Sequence, residues 1–360
     1  MTYLRYLLFT TILVLAACAS INYFVDPANV YHSDQASSPA YADALIKSEF
    51  GLWWPENSLE DRDIKKQLSR YASLSECVVV GSSHIMQVGS ARTLKSLGDQ
   101  CSSILNLGVS GASIEDQFVL VYLSLKNGHP KKIVLGVDPW TFAFGKDARW
   151  SFYADDYKRA RMEILGEVNQ AGNENTDALG SKLRNLLSVD YTIRSVQKWT
   201  SNLQHDPNHR PLEPVIKINE SHGGEYPILF KDGSLLYSAK FLALVSTTRI
   251  PLGGVTYATN GVLNDLRAID AYRLLLLWIK SKGVEPILLM TPYHPNVSKA
   301  PESPNARALA ATEPIVRYLG SQLDLRVIGT YNPVTAECMD TEFYDFMHAS
   351  PECLSKLRQQ

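Results

Sequence analysis

This chain of 360 residues has no glycine-rich phosphate loop, no Gly-x-Gly-x-x-Gly fingerprint, no Cys/His spacing of a zinc site and no internal repeat. Those absences remove the common nucleotide, dinucleotide and metal-binding readings and any solenoid, so neither metal nor cofactor is expected. An excess of basic charge is also lacking. Lys and Arg number 35 against 37 Asp and Glu, for a net charge of -2. A chain so balanced offers no electrostatic footprint for nucleic acid. What it does have is apolar content: 45% of residues are hydrophobic and 20% charged, enough to bury a large core in one big domain or two modest ones.

Tyr6 to Val25 contains no charged residue and follows Arg5. As a membrane helix it is close to the roughly 20 residues needed to span the hydrocarbon core. As a signal sequence it has a basic start, an apolar middle and small residues before a cysteine. Leu15-Ala16-Ala17-Cys18 resembles a bacterial lipobox, with Cys18 as the residue that would be lipidated. Both readings leave the chain attached to a membrane, with its main domain on the extracytoplasmic, periplasmic side. The apolar run continues past Cys18 through Ile21, Tyr23 and Phe24, which favours the uncleaved helix.

Residues 26–75 read as a juxtamembrane segment, irregular up to Glu60 and then a charged surface helix over Asp61 to Tyr71. The domain proper is expected over 76–360. Val78 to Val80 form a β-branched run suited to a strand buried on both faces. Gly81 stops it and delivers Ser82, Ser83 and His84, and a helix is expected from His84 onward. Ile104 to Gly108 and Lys131 to Asp138 are further strands, with a helix between them that Ser113 caps. Strand and helix alternating at these lengths predict an α/β fold, a three-layer α/β/α sandwich around a parallel sheet with right-handed crossovers. A serine after the first strand would lie at the carboxyl edge of that sheet, where such folds bind ligands. Taken alone, Gly-Ser-Ser after valines is also what an ordinary strand-to-helix turn looks like.

Residues 139–260 break the rhythm. Aromatics crowd the start (Trp140, Phe142, Phe144, Trp150, Phe152, Tyr153), and helices are expected over Tyr157 to Gly166, Ala178 to Leu187 and Tyr191 to Leu203. A hairpin is expected over Tyr226 to Tyr237, turning at Asp232-Gly233. So long an insertion after a strand reads as a lid or substrate subdomain, against the plainer reading of a packing elaboration. The alternation then resumes with a long helix over Val262 to Ile279, a strand over Glu285 to Met290, a helix over Ala306 to Leu323 kinked at Pro314, a strand over Leu325 to Ile328, and a loop with a short terminal helix.

Apart from Cys18 there are four cysteines. Cys77 opens the first strand and Cys101 precedes the second, so parallel neighbours would bring them to one edge. Cys338 and Cys353 flank a single loop. In an oxidising compartment this even set reads as two disulfides; the alternative is four buried thiols.

Near the end stands Tyr344-Asp345-Phe346-Met347-His348. Ester chemistry needs a nucleophile, a base to take its proton and a carboxylate to hold that base in the right tautomer. The Asp-x-x-His spacing also occurs at Asp206 and His209 in the insertion. What separates the two copies is order: serine after the first strand, Asp345 and His348 after the last.

That order resembles the SGNH (GDSL-like) hydrolase superfamily and its flavodoxin-like fold. The match runs through Gly81-Ser82-Ser83, Asn106-Leu107-Gly108-Val109-Ser110-Gly111 and Asp345-x-x-His348. The resemblance implies Ser83 as nucleophile, His348 as base, Asp345 as its orienter, and the N–H groups of Ser83 and Gly111 as an oxyanion hole. One block departs. Gly136-Val137-Asp138-Pro139 has aspartate where the family has an oxyanion-hole asparagine. Either Asp138 turns away, or it is protonated, or another donor substitutes. The anchor, the Gly-Ser-Ser and the large insertion look closer to membrane-attached members that modify the cell envelope or exopolysaccharides. An esterase or an O-acyltransferase on an acylated glycan or other ester is therefore expected, alongside unidentified polysaccharide-modification partners. The rivals are an inactive binding or assembly protein of a polysaccharide secretion system and a purely structural anchored lipoprotein. His84, Tyr293 and His294 are candidates for substrate contact or support. His84 is expected at the surface or behind the serine, and His294 either caps a loop or stands in for His348.

Overall fold

The computed structural model describes residues 2–26, 31, 37–54, 61–90, 97, 100–145, 147–166, 183, 186–203, 214, 215, 223–255 and 264–359. The strands are β1 (Gly51–Trp53), β2 (Cys77–Val80), β3 (Ile104–Asn106), β4 (Lys132–Gly136), β5 (Ile228–Phe230), β6 (Leu235–Leu236), β7 (Glu285–Met290) and β8 (Arg326–Gly329). β3, β2, β4, β7 and β8 form one parallel sheet in that spatial order. Numbered within the sheet this is 2-1-3-4-5, the order of a doubly wound fold. The direction of winding reverses beside β2, so the switch point lies between the carboxyl ends of β2 and β4.

Alternate side chains of each strand enter two separate cores, as the period of two requires. Val78, Val80, Leu105, Ile133, Leu135, Leu288 and Met290 face the larger core, built with helices Ile114–Asn127, Leu266–Ser281 and Pro304–Leu323. Cys77, Val79, Ile104, Val134, Ile287, Leu289 and Ile328 face the smaller one. Among the described residues that second face is covered by loops, short turns and the five-residue helix Pro351–Ser355. Among the described residues this outer layer is thin where the sequence predicts a full helical layer. Both expected disulfides, Cys77–Cys101 and Cys338–Cys353, lie on this side and tie the thin layer together.

Several local expectations change. The segment after Asp26 is not irregular: a helix at Ser37–Lys47 and strand β1 bury Tyr41, Ala42, Leu45 and Leu52 in the main core. Pro39 sits in the first turn of that helix, where a missing N–H costs nothing. Helix Asp61–Leu68 is buried rather than superficial. The Arg62 guanidinium donates to both oxygens of Asp116, at 2.8 and 3.0 Å. Lys65 Nζ donates to the carbonyls of Asn106 (2.9 Å) and Gly233 (2.5 Å), and burial pulls its pKa down to about 7. Pro314 is carried inside an unbroken helix. The expected hairpin is present as β5 and β6, and β1 adds to it as a third antiparallel strand. A helix at Ala239–Thr247 follows that the sequence did not suggest. The helix expected over 178–187 falls largely outside the described residues, as does the second Asp-x-x-His at 206–209.

Helix Thr2–Val25 is long and apolar enough to cross a membrane. Its length and composition fit an anchor or a signal sequence, and the disulfides fit a domain outside the cytoplasm.

Candidate active site

The serine turn hangs on the carboxyl end of β2. No long helix begins there. Ser83–Ile85 form a single 3₁₀ turn, and the chain is not helical over 86–90. Ser82 Oγ accepts the His84 N–H at 3.2 Å, which caps the turn and occupies the serine that is not the candidate nucleophile. Asn106 then stitches the turn to β3. Its Nδ2 donates to the carbonyls of Ile85 and Val88, both at 2.7 Å, and its Oδ1 accepts the Gly108 N–H at 2.8 Å. Those bonds take up carbonyls that a continuing helix would have used.

Ile85 is the peg of this turn. Gly81, Gly108 and Gly136 end or follow three neighbouring strands, and all three abut its side chain. A Cβ at 108 would lie 2.4 Å from Ile85 Cδ1, and one at 136 would lie 2.7 Å from Ile85 Cγ2. The missing side chains make a socket that holds the turn down on the sheet edge.

Asp345 and His348 come from a small closed loop after the last strand. Phe343 bridges Ala349, and the Tyr344 N–H donates to the His348 carbonyl at 2.9 Å. Asp345 Oδ1 accepts the N–H groups of Met347 and His348, each at 2.8 Å. Its Oδ2 lies 2.7 Å from His348 Nδ1. The three-residue spacing thus lets one carboxylate close the turn and orient the ring. Burial raises the Asp345 carboxyl, but the bonds and charge of His348 and the two N–H groups outweigh it and bring the pKa down to about 2. His348 Nε2 lies 2.9 Å from Ser83 Oγ. Ser83 and His348 are both half-buried, within reach of solvent.

Gly111 has a φ of +59°, a left-handed conformation suited to glycine, and a Cβ there would lie 2.5 Å from Arg149 Nη2. Among the described residues the N–H groups of Ser83 and Gly111 donate to no protein group. Val109, two residues before Gly111, donates its N–H to the Gly81 carbonyl, so this loop is tied to the serine turn.

Asp138 is buried at the end of β4, its Oδ1 2.8 Å from Nδ1 of His84. His84 is itself buried, behind the serine rather than at the surface. The short turn points the ring inward, where it meets Trp140, Tyr293 and His348 edge-on with centroids 5.4, 5.2 and 5.2 Å away. Asp138 and His84 therefore form a second carboxylate–imidazole pair packed against the first. His294 stands apart from it. Its Nδ1 accepts the Asn296 N–H at 3.0 Å, its ring packs on Phe343, and burial lowers its pKa: it caps the four-residue helix Pro295–Ser298 rather than a loop. Tyr293 packs between His84 and Tyr331.

Sequence reasoning missed the Ile85 socket, the stitching by Asn106 and the approach of Trp140 and Arg149 to the serine and glycine loops. Glycines at 81, 108 and 136, each at the end of a valine- or leucine-rich run, were the available signal for the socket. Trp140 and Arg149 lie in the insertion, where no motif marks them. Among the described residues no group of three or more His, Cys, Asp or Glu side chains could hold a metal ion. No protein-family model matches the chain, and no curated protein matches it.

Proposed function

We propose that the chain is a membrane-attached serine esterase or O-acyltransferase of SGNH type, acting on an ester of the cell envelope or an exopolysaccharide. The observation that carries this reading is the continuous relay Ser83 Oγ to His348 Nε2 (2.9 Å) and His348 Nδ1 to Asp345 (2.7 Å). Both distances are within the reach that a nucleophile and its base require. With Nδ1–H donated to Asp345, Nε2 is free to accept the Ser83 proton as Oγ bonds to the ester carbon. The developing oxyanion is met by the Ser83 and Gly111 N–H groups. Collapse expels the alcohol, which takes the proton back from His348, and leaves an acyl-serine. Water then regenerates the serine in an esterase; a sugar hydroxyl does so in a transferase.

Asp138 stands where the family has asparagine, and its carboxylate is directed to His84, with Oδ1 2.8 Å from Nδ1. An unpaired carboxylate near the oxyanion would oppose the negative charge, since losing even one donor there costs roughly 100- to 1000-fold in rate. Here the carboxylate is set against the His84 ring. The inactive binding-protein reading rests on Asp138 alone and does not account for the ordered relay.

A serine-directed fluorophosphonate tests the proposal. Labelling of the full-length protein, lost in Ser83→Ala and kept in Ser82→Ala, is the expected result. An unlabelled wild-type protein that is folded by circular dichroism refutes it.

A further inference from the structure

The insertion contains a feature that the acyl-transfer reading does not use. Helix Val189–Leu203 packs along one face on the end of the apolar N-terminal helix. Asn22, a polar residue inside that apolar stretch, is fully buried at the junction. Its Nδ2 donates to the Leu186 carbonyl and to Thr192 Oγ1, both at 2.9 Å, and Ser195 Oγ donates to its Oδ1 at 2.9 Å. Tyr191 Oη donates to Asp26 at 2.7 Å. These bonds fix the helix to residues 22–26 of the anchor.

A second face of the same helix is apolar and open. Val189, Ile193, Val196 and Trp199 are 73%, 51%, 40% and 54% exposed. Val189, Ile193 and Val196 recur at helical spacing, and at 3.6 residues per turn they lie about a third of a turn from the face formed by Tyr191, Thr192 and Ser195, with Trp199 at the edge between the two. The open apolar face is thus distinct from the face that meets the N-terminal helix, and both can be covered at once. The level also agrees. Roughly 20 residues span a hydrocarbon core, so a span starting at Tyr3 ends near Asn22. Tyr23 and Phe24 at this end are exposed, as aromatic residues at a membrane interface commonly are. If the anchor is instead cleaved before Cys18, the acyl chains on Cys18 leave the helix at the same lipid surface.

We propose that helix Val189–Leu203 lies in the headgroup–acyl boundary of the bilayer entered by the N-terminal anchor, with Val189, Ile193 and Val196 as its lipid face and Trp199 at the edge of that face. The domain is then held at the membrane at two points and cannot swing freely about a single tether. The inference is independent of the chemistry at Ser83.

The test is tryptophan quenching in the full-length protein, reconstituted in phosphatidylcholine–phosphatidylglycerol vesicles with or without lipids brominated near the headgroup end of the chain. Brominated lipid is expected to quench part of the emission, and Trp199→Phe to remove that quenched part while the far-ultraviolet circular dichroism stays unchanged. Equal emission in both vesicles overturns the proposal. So does quenching that persists in Trp199→Phe, or cross-linking of Val196→Cys to a second copy of the chain in place of quenching.

Discussion

The Ile85 socket makes a prediction that depends on single atoms. Adding a methyl group at 108 places it 2.4 Å from Ile85 Cδ1; adding one at 136 places it 2.7 Å from Ile85 Cγ2. Overpacking of this kind typically costs about 1–3 kcal/mol. Ile85 cannot yield toward the sheet, so the turn lifts and carries Ser83, two residues earlier, away from His348. A displacement of about 1 Å at a reacting group can cost roughly 100-fold in rate. Gly108→Ala and Gly136→Ala should both lower the urea midpoint and slow fluorophosphonate labelling. Ile85→Val distinguishes the two. It deletes Cδ1 at a cost of about 0.5–1.5 kcal/mol and keeps both branches at Cβ. In a double-mutant cycle it should recover a large part of the Gly108→Ala loss, limited by the remaining contacts of 3.0 Å to Asn106 Oδ1 and 3.2 Å to the Ser82 carbonyl. It should recover little of the Gly136→Ala loss, because the opposing atom is still there. A Gly108→Ala protein as stable and as reactive as wild type, or equal rescue of both variants, would refute the socket.

Asp345→Asn keeps the shape of the loop but destabilises the tautomer that leaves His348 Nε2 free, so labelling of Ser83 should slow by roughly four orders of magnitude with the fold intact; a loss under tenfold would remove Asp345 from the relay. Lys65 has a folded pKa of about 7 against an ordinary 10.5, so between those values the unfolded chain binds more protons and stability should rise with pH. Urea titrations of wild type and Lys65→Met from pH 7 to 10 should show that rise in wild type only, and parallel curves would count against it. Replacing Cys338 and Cys353 by serine opens a closure of 15 residues, worth about 3 kcal/mol, and should slow labelling because it frees the loop carrying His348. The same replacement at Cys77 and Cys101 should cost comparable stability and leave the labelling rate nearly unchanged, since that bridge joins the sheet at the amino end of β2.

The parallel sheet was legible because its strands are uninterrupted apolar runs, each closed by a glycine or a polar turn. Ser83, Asp345 and His348 were legible because their order along the chain maps onto one sheet edge. Of the two places open to His84, behind the serine is the one it takes, and the helix expected after Ser83 is what made the surface look equally open. Asn106 caps the carbonyls of Ile85 and Val88 instead, and a 3₁₀ turn places the ring inside. The burial of Arg62 and Lys65 was hidden because their partners, Asp116 and the carbonyls of Asn106 and Gly233, are far away in sequence. Charge alone made that helix look superficial. The helix at Ser37–Lys47 was lost to its own Ser-Ser-Pro, which marks a helix start as readily as a loop.

The bond between Ser83 and His348 joins residues 265 positions apart. β2, which leads to the serine, pairs with both β3 and β4, so its neighbours all lie in the first 136 residues of the chain. The ring that would activate it arrives with the final loop, after β8 has docked. A growing polypeptide therefore holds Ser83 without its His348 partner until the last residues are made. Any fragment that ends before residue 348 carries Ser83 without the ring it meets in the whole chain.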